Sequence, residues 1–468
     1  MGDIPLHKTI HFIGIGGAGM SAIAKVAIEK GYKVSGSDLK ESIHTIRLKD
    51  LGAEIHVGHK PANLRKADII VISTAIPEDN PELQFAKQER IPMIRRADML
   101  DLLMADASKR IGVAGTHGKT TTSSMITQAL AACGKVPTFV IGAELKDFGS
   151  NGALGNSDYF VAEADESDGS FLCLHPNIGV ITNVEADHLD YYKEFQHIQD
   201  HFCRYIQAIS DINGYVVLNL DDAILKELGT QTQAKAIYYS LKTPSAVMAR
   251  DIVQTNQGTR YTLVLEGTPV GEVQLQVHGL HNVMNSLAVI ALGVEEKLPL
   301  EKLKKGLASF SGTKRRFQLI GQAQDILVYD DYAHHPTEID VTLKGAKAGF
   351  KQRIICIFQP HRYTRTRDLM DSFSDAFSAA DEVFITDIYS ANEKKIEGVS
   401  SDIIVNDLLK KGVSAHFIPK KSNVAQDILP YLKPHDLVIT MGAGDIYTVA
   451  KELVAQLKTS APVGETNS

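Results

Sequence analysis

No stretch of this chain reaches the roughly 18 apolar residues that a membrane span requires, so no membrane insertion is expected. Met1 to Ile10 carries no long apolar run ahead of a cleavage site, and no secretory signal peptide is expected. Cysteine is sparse: Cys133, Cys173, Cys203 and Cys356 are the 4 in 468 residues, and no two form a C-x-x-C pair. Scattered thiols fit a reducing cytoplasm better than a disulfide framework. Positive charge is not in excess. The net charge of -7 excludes a general binder of nucleic acid or of an anionic membrane and leaves room only for a local basic pocket. Internal repeats and low-complexity tracts are missing, and no feature specifies an oligomeric state. The final residues, TSAPVGETNS, are expected to form a disordered tail.

What remains is an ordinary globular composition, 44% apolar and 22% charged. At about 150 residues per domain the length predicts about three domains, each able to bury a core. Short apolar strands alternate with helical periodicity along most of the chain, which predicts an α/β fold of three domains, each on a largely parallel sheet. The first covers 1–106, with strands at Ile10 to Gly14, Tyr32 to Ser37 and Asp68 to Thr74. Met20, Ile23, Ala24, Ala27 and Ile28 recur at helical spacing between the first two, and Gly31 closes that helix. A polar stretch around Asp101 to Arg110 marks a boundary. The second domain, 107–312, has strands at Ile111 to Ala114, Tyr159 to Ala162, Ile178 to Thr182 and Tyr215 to Leu218. A helix is expected from about Thr120 to Cys133. TRYTLVLEGTPVGEVQLQV alternates and turns at Gly267, predicting an antiparallel addition before a helix from about His281. The third domain, 313–468, has strands at Ile326 to Tyr329, Arg353 to Phe358, Glu382 to Thr386 and Leu437 to Thr440.

The strongest chemical motif is Gly115-Thr116-His117-Gly118-Lys119-Thr120-Thr121, set between a predicted strand and helix. Glycines let backbone N–H groups converge on phosphate oxygens, and the helix N-terminus adds positive potential. Lys119 suits the outer phosphates of ATP and the Thr120 hydroxyl suits Mg²⁺. Val113 stands where a strict Walker pattern has its first glycine. Two acidic segments, Glu163-Ala-Asp-Glu-Ser-Asp168 and Asn183-Val-Glu-Ala-Asp-His188, end predicted parallel strands, where α/β sheets build their sites. Carboxylates and an imidazole there suit Mg²⁺ or Mn²⁺ beside ATP, with Glu163 and His188 the leading ligands. Glu166, Asp187 and Asp190 are read either as further ligands or as helix-capping and solvated acids.

Gly14-Ile-Gly16-Gly17-Ala-Gly19 matches G-x-G-x-x-G, and Asp38 ends the next strand where a ribose-binding acid sits. Alone, this predicts an NAD-dependent oxidoreductase. The motif itself requires only that a diphosphate rest on a helix N-terminus, and a second nucleotide loop at Gly115 does not suit a simple dehydrogenase.

Eight ordered segments, HFIGIGGAGMS, GTHGKTTT, EADESDGSFL, TNVEADHLD, GLHNVMNSLA, GTKRRFQ, DDYAHHPTE and FQPHRYTRTRDL, together resemble the Mur ligases, the ATP-dependent ligases of bacterial peptidoglycan synthesis. The resemblance covers essentially the whole chain. It implies that ATP phosphorylates the carboxylate of UDP-N-acetylmuramate and that an amine displaces the phosphate. Gly14, Gly16, Gly17, Gly19, Met20, Ser37 and Asp38 would then hold the UDP part. Lys119, Glu163 and His188 would be catalytic, with Thr120, Glu163 and His188 on metal. His281 and Asn282 would lie near the adenine, or serve as a helix N-cap. Arg316 and Asp330 would face ATP, or either could instead belong to a structural ion pair.

The resemblance points to L-alanine as the incoming amino acid, with Tyr332, His361, Arg362 and Arg365 in its pocket. An amino acid's carboxylate suits an arginine fork, and Arg362 and Arg365 share a helical face if that segment is a helical turn. The same cluster would equally suit phosphates or the protein surface. A relative that attaches a murein tripeptide to the same UDP-sugar differs in this pocket, and EADESDGSFL looks more like the alanine branch. Several other Mur ligases carry a carbamylated lysine downstream of the Asp-His pair. Here only Lys193 falls between Asp187 and Gly214, so none is assigned.

Overall fold

Apolar strands bounded by glycine turns and amphipathic helices build three sheets, which a computed structural model describes over residues 4–459. Most of TSAPVGETNS lies outside the described residues. The three sheets fall into two compact units. The first comprises the chain up to Arg250 with Thr262–Val273 and Met284–Phe310. The second comprises Asp251–Tyr261, Gln274–Val283 and the chain from Ser311.

The first sheet contains β1 (Thr9–Ile13), β2 (Lys33–Asp38), β3 (Glu54–Val57), β4 (Ile69–Ile72) and β5 (Met93–Arg95), all parallel, in the order β3-β2-β1-β4-β5. Ile10, Phe12 and Ile13 are fully buried, as expected for a strand covered on both faces. The order reverses at β1, so the Gly14 loop at its carboxyl end sits at a topological switch point. The expected strand Asp68 to Thr74 is shorter at both ends, running Ile69–Ile72, and Asp68 lies just before it. There the Asp68 carboxylate accepts from Lys8 Nζ and the Thr9 N–H, both at 2.8 Å, and acts as a clasp.

The second sheet contains β6 (Lys109–Ala114), β7 (Thr138–Leu145), β8 (Ser150–Ala153), β9 (Tyr159–Glu163), β10 (Ile178–Ile181), β11 (Tyr215–Asn219), β12 (Lys235–Ser240), β13 (Val247–Thr255), β14 (Gly258–Leu265) and β15 (Thr268–Leu275). Its order is β15-β14-β13-β12-β11-β10-β6-β9-β7-β8. β6 lies between β9 and β10 and runs parallel to both, so their carboxyl ends meet. β14 and β15 fall where the alternating segment placed them, with the turn at Gly267, and β13 before them pairs parallel with β12. The β7-β8 hairpin went unread because its pairing is antiparallel and shifts register between Val140 and Leu145, which breaks the alternation.

That hairpin joins the first two sheets into one unit. The Ala18–Glu29 helix lies on it: Asn151 Nδ2 donates to the Ala18 carbonyl at 2.7 Å, and Lys25 Nζ to Ser150 Oγ at 2.9 Å. One hydrophobic core then runs from Ile4 to Leu228. The polar stretch at 101–110 is structured throughout most of its length. It is helix to Met104 and strand from Lys109, with Leu103 and Met104 buried.

The second unit's sheet has β16 (Gln318–Ala323), β17 (Ile326–Asp331), β18 (Ile354–Phe358), β19 (Glu382–Ile385), β20 (Ala415–Phe417) and β21 (Leu437–Met441), in the order β16-β17-β21-β18-β19-β20. Only β16 pairs antiparallel. Separate apolar clusters cover its two faces.

Candidate active site

At the carboxyl end of β6 the chain turns through Gly115, whose φ is +129°; a Cβ there would lie 2.1 Å from Thr182 Oγ1. Gly118, at φ +85°, caps the Lys119–Ala132 helix, and a Cβ there would lie 2.8 Å from Asn285 Oδ1. Only glycine fits these two positions. The loop is braced by the segment after β10. The Thr116 N–H donates to the Asn183 carbonyl at 3.0 Å, the His117 N–H to Asn183 Oδ1 at 2.9 Å, and the Glu185 N–H to Thr116 Oγ1 at 2.8 Å. Thr121 occupies the first turn of the helix.

The charges come from β9 and the turn that follows it. Thr120 Oγ1 donates to the Glu163 carboxylate, 2.9 and 3.1 Å from its oxygens, and the Gly142 N–H donates to Glu163 Oε2 at 2.7 Å. Hydroxyl and carboxylate thus form a small hard-oxygen pair of the kind Mg²⁺ takes. Lys119 Nζ lies 2.6 Å from the Gly115 carbonyl and 2.8 Å from Glu166 Oε2. Burial would lower the Lys119 pKa, but Glu166, Asp165 and Glu163 outweigh it and raise it, fixing an ammonium at the loop. Burial pushes the Glu166 carboxyl up to about 7, with Lys119 pulling the other way. Burial acts on Asp165 as well, yet Lys119 and Arg96 hold it below the usual carboxylate range.

His188 sits at φ +54°, a conformation that a non-glycine residue adopts at a cost and that recurs at functional sites. Its Nε2 is 3.5 Å from Asp187 Oδ2 and 3.9 Å from Glu166 Oε1. The side chain of Asp190 is outside the described residues. Glu166 therefore stands between Lys119 and His188. Sequence reasoning weighed it only as a metal ligand or a surface acid, because an acidic run does not reveal which member meets the lysine.

In the first sheet, Gly14 has φ +77° and its N–H donates to the Ser37 carbonyl at 2.8 Å. The Gly16 N–H donates to Asp38 Oδ2 at 2.8 Å, and a Cβ on Gly16 would meet that same oxygen at 2.8 Å. Asp38 is therefore engaged by the loop backbone. Gly17 precedes the Ala18–Glu29 helix, and Met20 in its first turn is buried. A Cβ on Gly19 would lie 3.1 Å from Arg96 Nη1, and Arg96 Nη2 reaches Asp165 Oδ2 at 3.3 Å. Arg96, which carried no sequence signal, links the first glycine loop to the acidic run after β9.

In the second unit, Asp330 and Arg316 each sit in an ion pair, with different partners. Asp330 is fully buried and accepts from Arg315 Nε at 3.1 Å and Thr440 Oγ1 at 2.7 Å. Arg316 Nη1 lies 3.5 Å from Glu338 Oε1 instead. The cause is local backbone: Arg315 adopts φ +60°, so the two adjacent arginines diverge. Both guanidinium groups lie over the Tyr332 ring, at 4.9 and 5.3 Å. Burial first, and Arg316 next, lower His281 to about 4. His281 and Asn282 stand inside the first turn of the Leu280–Glu295 helix, so neither is its N-cap. Asn282 Nδ2 donates to the His278 carbonyl at 2.7 Å.

At the carboxyl end of β18, the His361 ring stacks on Tyr389 with 5.6 Å between centroids and meets His334 edge-on at 5.8 Å. Arg365 Nη1 is 3.5 Å from His361 Nδ1. Burial, helped by His334 and Arg365, lowers His361 to about 3, so the imidazole is neutral. Arg362, at φ +71°, precedes the Tyr363–Asp368 helix instead of lying on it. Tyr332, His334, His361, Arg365 and Tyr389 thus gather at one sheet edge, and sequence reasoning missed His334 and Tyr389.

A nucleotide loop on one parallel sheet, a second glycine loop on another, and an arginine-histidine edge on a third define a nucleotide-dependent α/β enzyme of several domains. Family models match along the chain: the Mur ligase catalytic domain over residues 9–108, the Mur ligase middle domain over 113–293, and the Mur ligase glutamate ligase domain over 315–444. The chain belongs to the Mur ligase family, and with that the dehydrogenase reading of the Gly14 loop falls away. It is 45% identical over 452 residues to the UDP-N-acetylmuramate–L-alanine ligase of Geotalea uraniireducens, covering 96% of this chain and 98% of that one. The enzyme of the same name from Pelotomaculum thermopropionicum is 45% identical over 459 residues, covering 98% and 99%. Among solved structures, UDP-N-acetylmuramate-alanine ligase from Thermotoga maritima aligns with a TM-score of 0.83 at 31% identity, over 97% of this chain and all of that one. A murein peptide ligase from Psychrobacter arcticus aligns with a TM-score of 0.72 at 25% identity, over 97% of this chain and 100% of that one.

Proposed function

We propose that this chain joins L-alanine to the carboxylate of UDP-N-acetylmuramate, with cleavage of ATP to ADP and phosphate, as a step of peptidoglycan precursor synthesis in the cytoplasm. The observation that carries the reading is the loop after β6, where a buried ammonium and a Thr120–Glu163 oxygen pair meet in a chain matched end to end by relatives of that name. No helix among the described residues is long and apolar enough to cross a membrane.

A carboxylate is a poor electrophile and an acyl phosphate is a good one. In the first step a muramoyl carboxylate oxygen bonds to the terminal phosphorus of ATP, and the bond from that phosphorus to the bridging oxygen breaks. Lys119 and the N–H groups at the start of the Lys119–Ala132 helix hold the phosphates in line and offset the charge, the main part of catalysis in phosphoryl transfer. Thr120 and Glu163 would hold Mg²⁺, with His188 near a second cation; a bound divalent ion would neutralise phosphate charge there. In the second step the amine of alanine bonds to the acyl carbon, the C–O bond to phosphate breaks, and phosphate leaves carrying the proton given up by the amine. Arg365, with His361 beside it, grips the alanine carboxylate. The Gly14 loop takes the diphosphate of UDP, and Asp38 holds that loop in shape. The test is phosphate release with UDP-N-acetylmuramate, ATP and a panel of amino acids that includes the murein tripeptide. Strong preference for the tripeptide, or no release with alanine, refutes the reading.

A further inference from the structure

Below the Gly14 loop lies a buried polar knot centred on Glu82, a carboxylate with no solvent exposure. Glu82 stands in the first turn of the Pro81–Gln88 helix, where Asn80 Oδ1 accepts its N–H at 2.9 Å and the helix dipole favours an anion. Ser37 Oγ donates to Glu82 Oε2 at 2.5 Å, and His59 Nδ1 lies 2.9 Å from the same oxygen. Asn63 Nδ2 and the Lys60 N–H donate to Oε1 at 2.6 and 3.3 Å. No lysine or arginine side chain is among these partners. His11, also fully buried, has its Nε2 4.0 Å from Oε1, but burial lowers it to about 4 and leaves it neutral.

A buried carboxylate is a costly way to fill a core, and an apolar residue of the same size would serve stability as well. What this carboxylate does is draw three separate segments to one point: the end of β2, the loop after β3, and the Pro81–Gln88 helix. The end of β2 matters most. The Ser37 carbonyl accepts the N–H of both Gly14 and Ile15, at 2.8 and 3.0 Å. The position of Ser37 therefore sets the path of the glycine loop. Asp38, the next residue, holds Gly16 N–H and also accepts Gly58 N–H at 2.7 Å through its carbonyl, next to His59.

We infer that Glu82 is a positioning residue for the UDP-sugar: acting through Ser37 and His59, it holds the glycine loop in the shape that receives the diphosphate. This rests on the proposed function. It predicts a defect confined to one substrate. Glu82→Gln keeps the shape but loses the charge and one acceptor oxygen. It should weaken UDP-N-acetylmuramate binding, read by calorimetry, by tenfold or more, and raise the KM for that substrate with the KM for ATP unchanged. Ser37→Ala keeps the loop-holding carbonyl and removes only the hydroxyl; it should show the same selective loss, severalfold in size.

Wild-type protein that binds neither UDP-N-acetylmuramate nor UDP refutes the functional reading itself. Wild type that binds, with a folded Glu82→Gln binding equally well, overturns the role of Glu82. So does a parallel rise in both KM values, which marks a merely structural residue. If Glu82→Gln does not fold, Ser37→Ala decides, and unchanged binding there overturns the inference.

Discussion

Replacing Lys119 by alanine removes one ammonium and two kinds of interaction, which can be measured apart. In the resting protein Lys119 pairs with Glu166 at 2.8 Å, with both side chains nearly buried. At an effective dielectric of about 20, that separation corresponds to an attraction of roughly 6 kcal/mol before desolvation is counted. Breaking one side of a buried pair leaves a stranded charge, at a net cost of about 3–5 kcal/mol. Melting temperature should therefore fall while the fold survives. Turnover should fall much further, by about 10³-fold or roughly 4 kcal/mol, because the terminal phosphate loses its principal cation. A second variant separates the two effects. In Lys119→Ala with Glu166→Gln the stranded charge is gone, so stability should return toward the wild-type value while phosphate release stays abolished. The assays are thermal melting by circular dichroism and coupled phosphate release at saturating ATP. A folded Lys119→Ala enzyme within about tenfold of wild-type turnover refutes the role of this loop, and a double variant that melts no higher than the single one refutes the stranded-charge account.

Glu163→Ala and His188→Ala should each raise the Mg²⁺ concentration needed for half-maximal turnover; wild-type titrations in both would make these residues structural. Arg365→Ala should raise the KM for L-alanine about 10–100-fold, the ~1.5–3 kcal/mol of a charged hydrogen bond, and leave the KM for the UDP-sugar alone. An unchanged KM for alanine sinks that pocket. His11 provides a pH test. Burial holds its folded-state pKa at about 4, below the ordinary histidine value of about 6.5, so its contribution is present above pH 6.5 and is lost as pH falls toward 4. His11→Gln should lose less stability than wild type between pH 7 and pH 4.5 in urea melts, and parallel losses contradict the assignment.

Much of this was legible before any coordinates. The expected helix after the phosphate loop, about Thr120 to Cys133, is Lys119–Ala132, and the expected strand Ile111 to Ala114 lies within Lys109–Ala114. Both depend on apolar periodicity and on glycines at positive φ, which are properties of a few consecutive residues. The same locality explains a miss. The β7-β8 hairpin is disguised by a register shift between Val140 and Leu145.

The pairing of charges belongs to another level. Sequence placed Glu163, Asp165, Glu166 and Asp168 in one run, and two arginines side by side at Arg315 and Arg316. Which carboxylate meets the lysine, and which arginine meets Asp330, depended on backbone turns and strand order. By itself the sequence determined the two glycine loops, the parallel α/β architecture and the kind of chemistry, because each is encoded in short runs. The tertiary structure alone decided that Glu163 faces Thr120, 43 positions away, and that Glu166 faces Lys119, 47 positions away. The reason is that β9 lies beside β6 in the sheet, and contacts across neighbouring strands follow sheet order, which no spacing along the chain records.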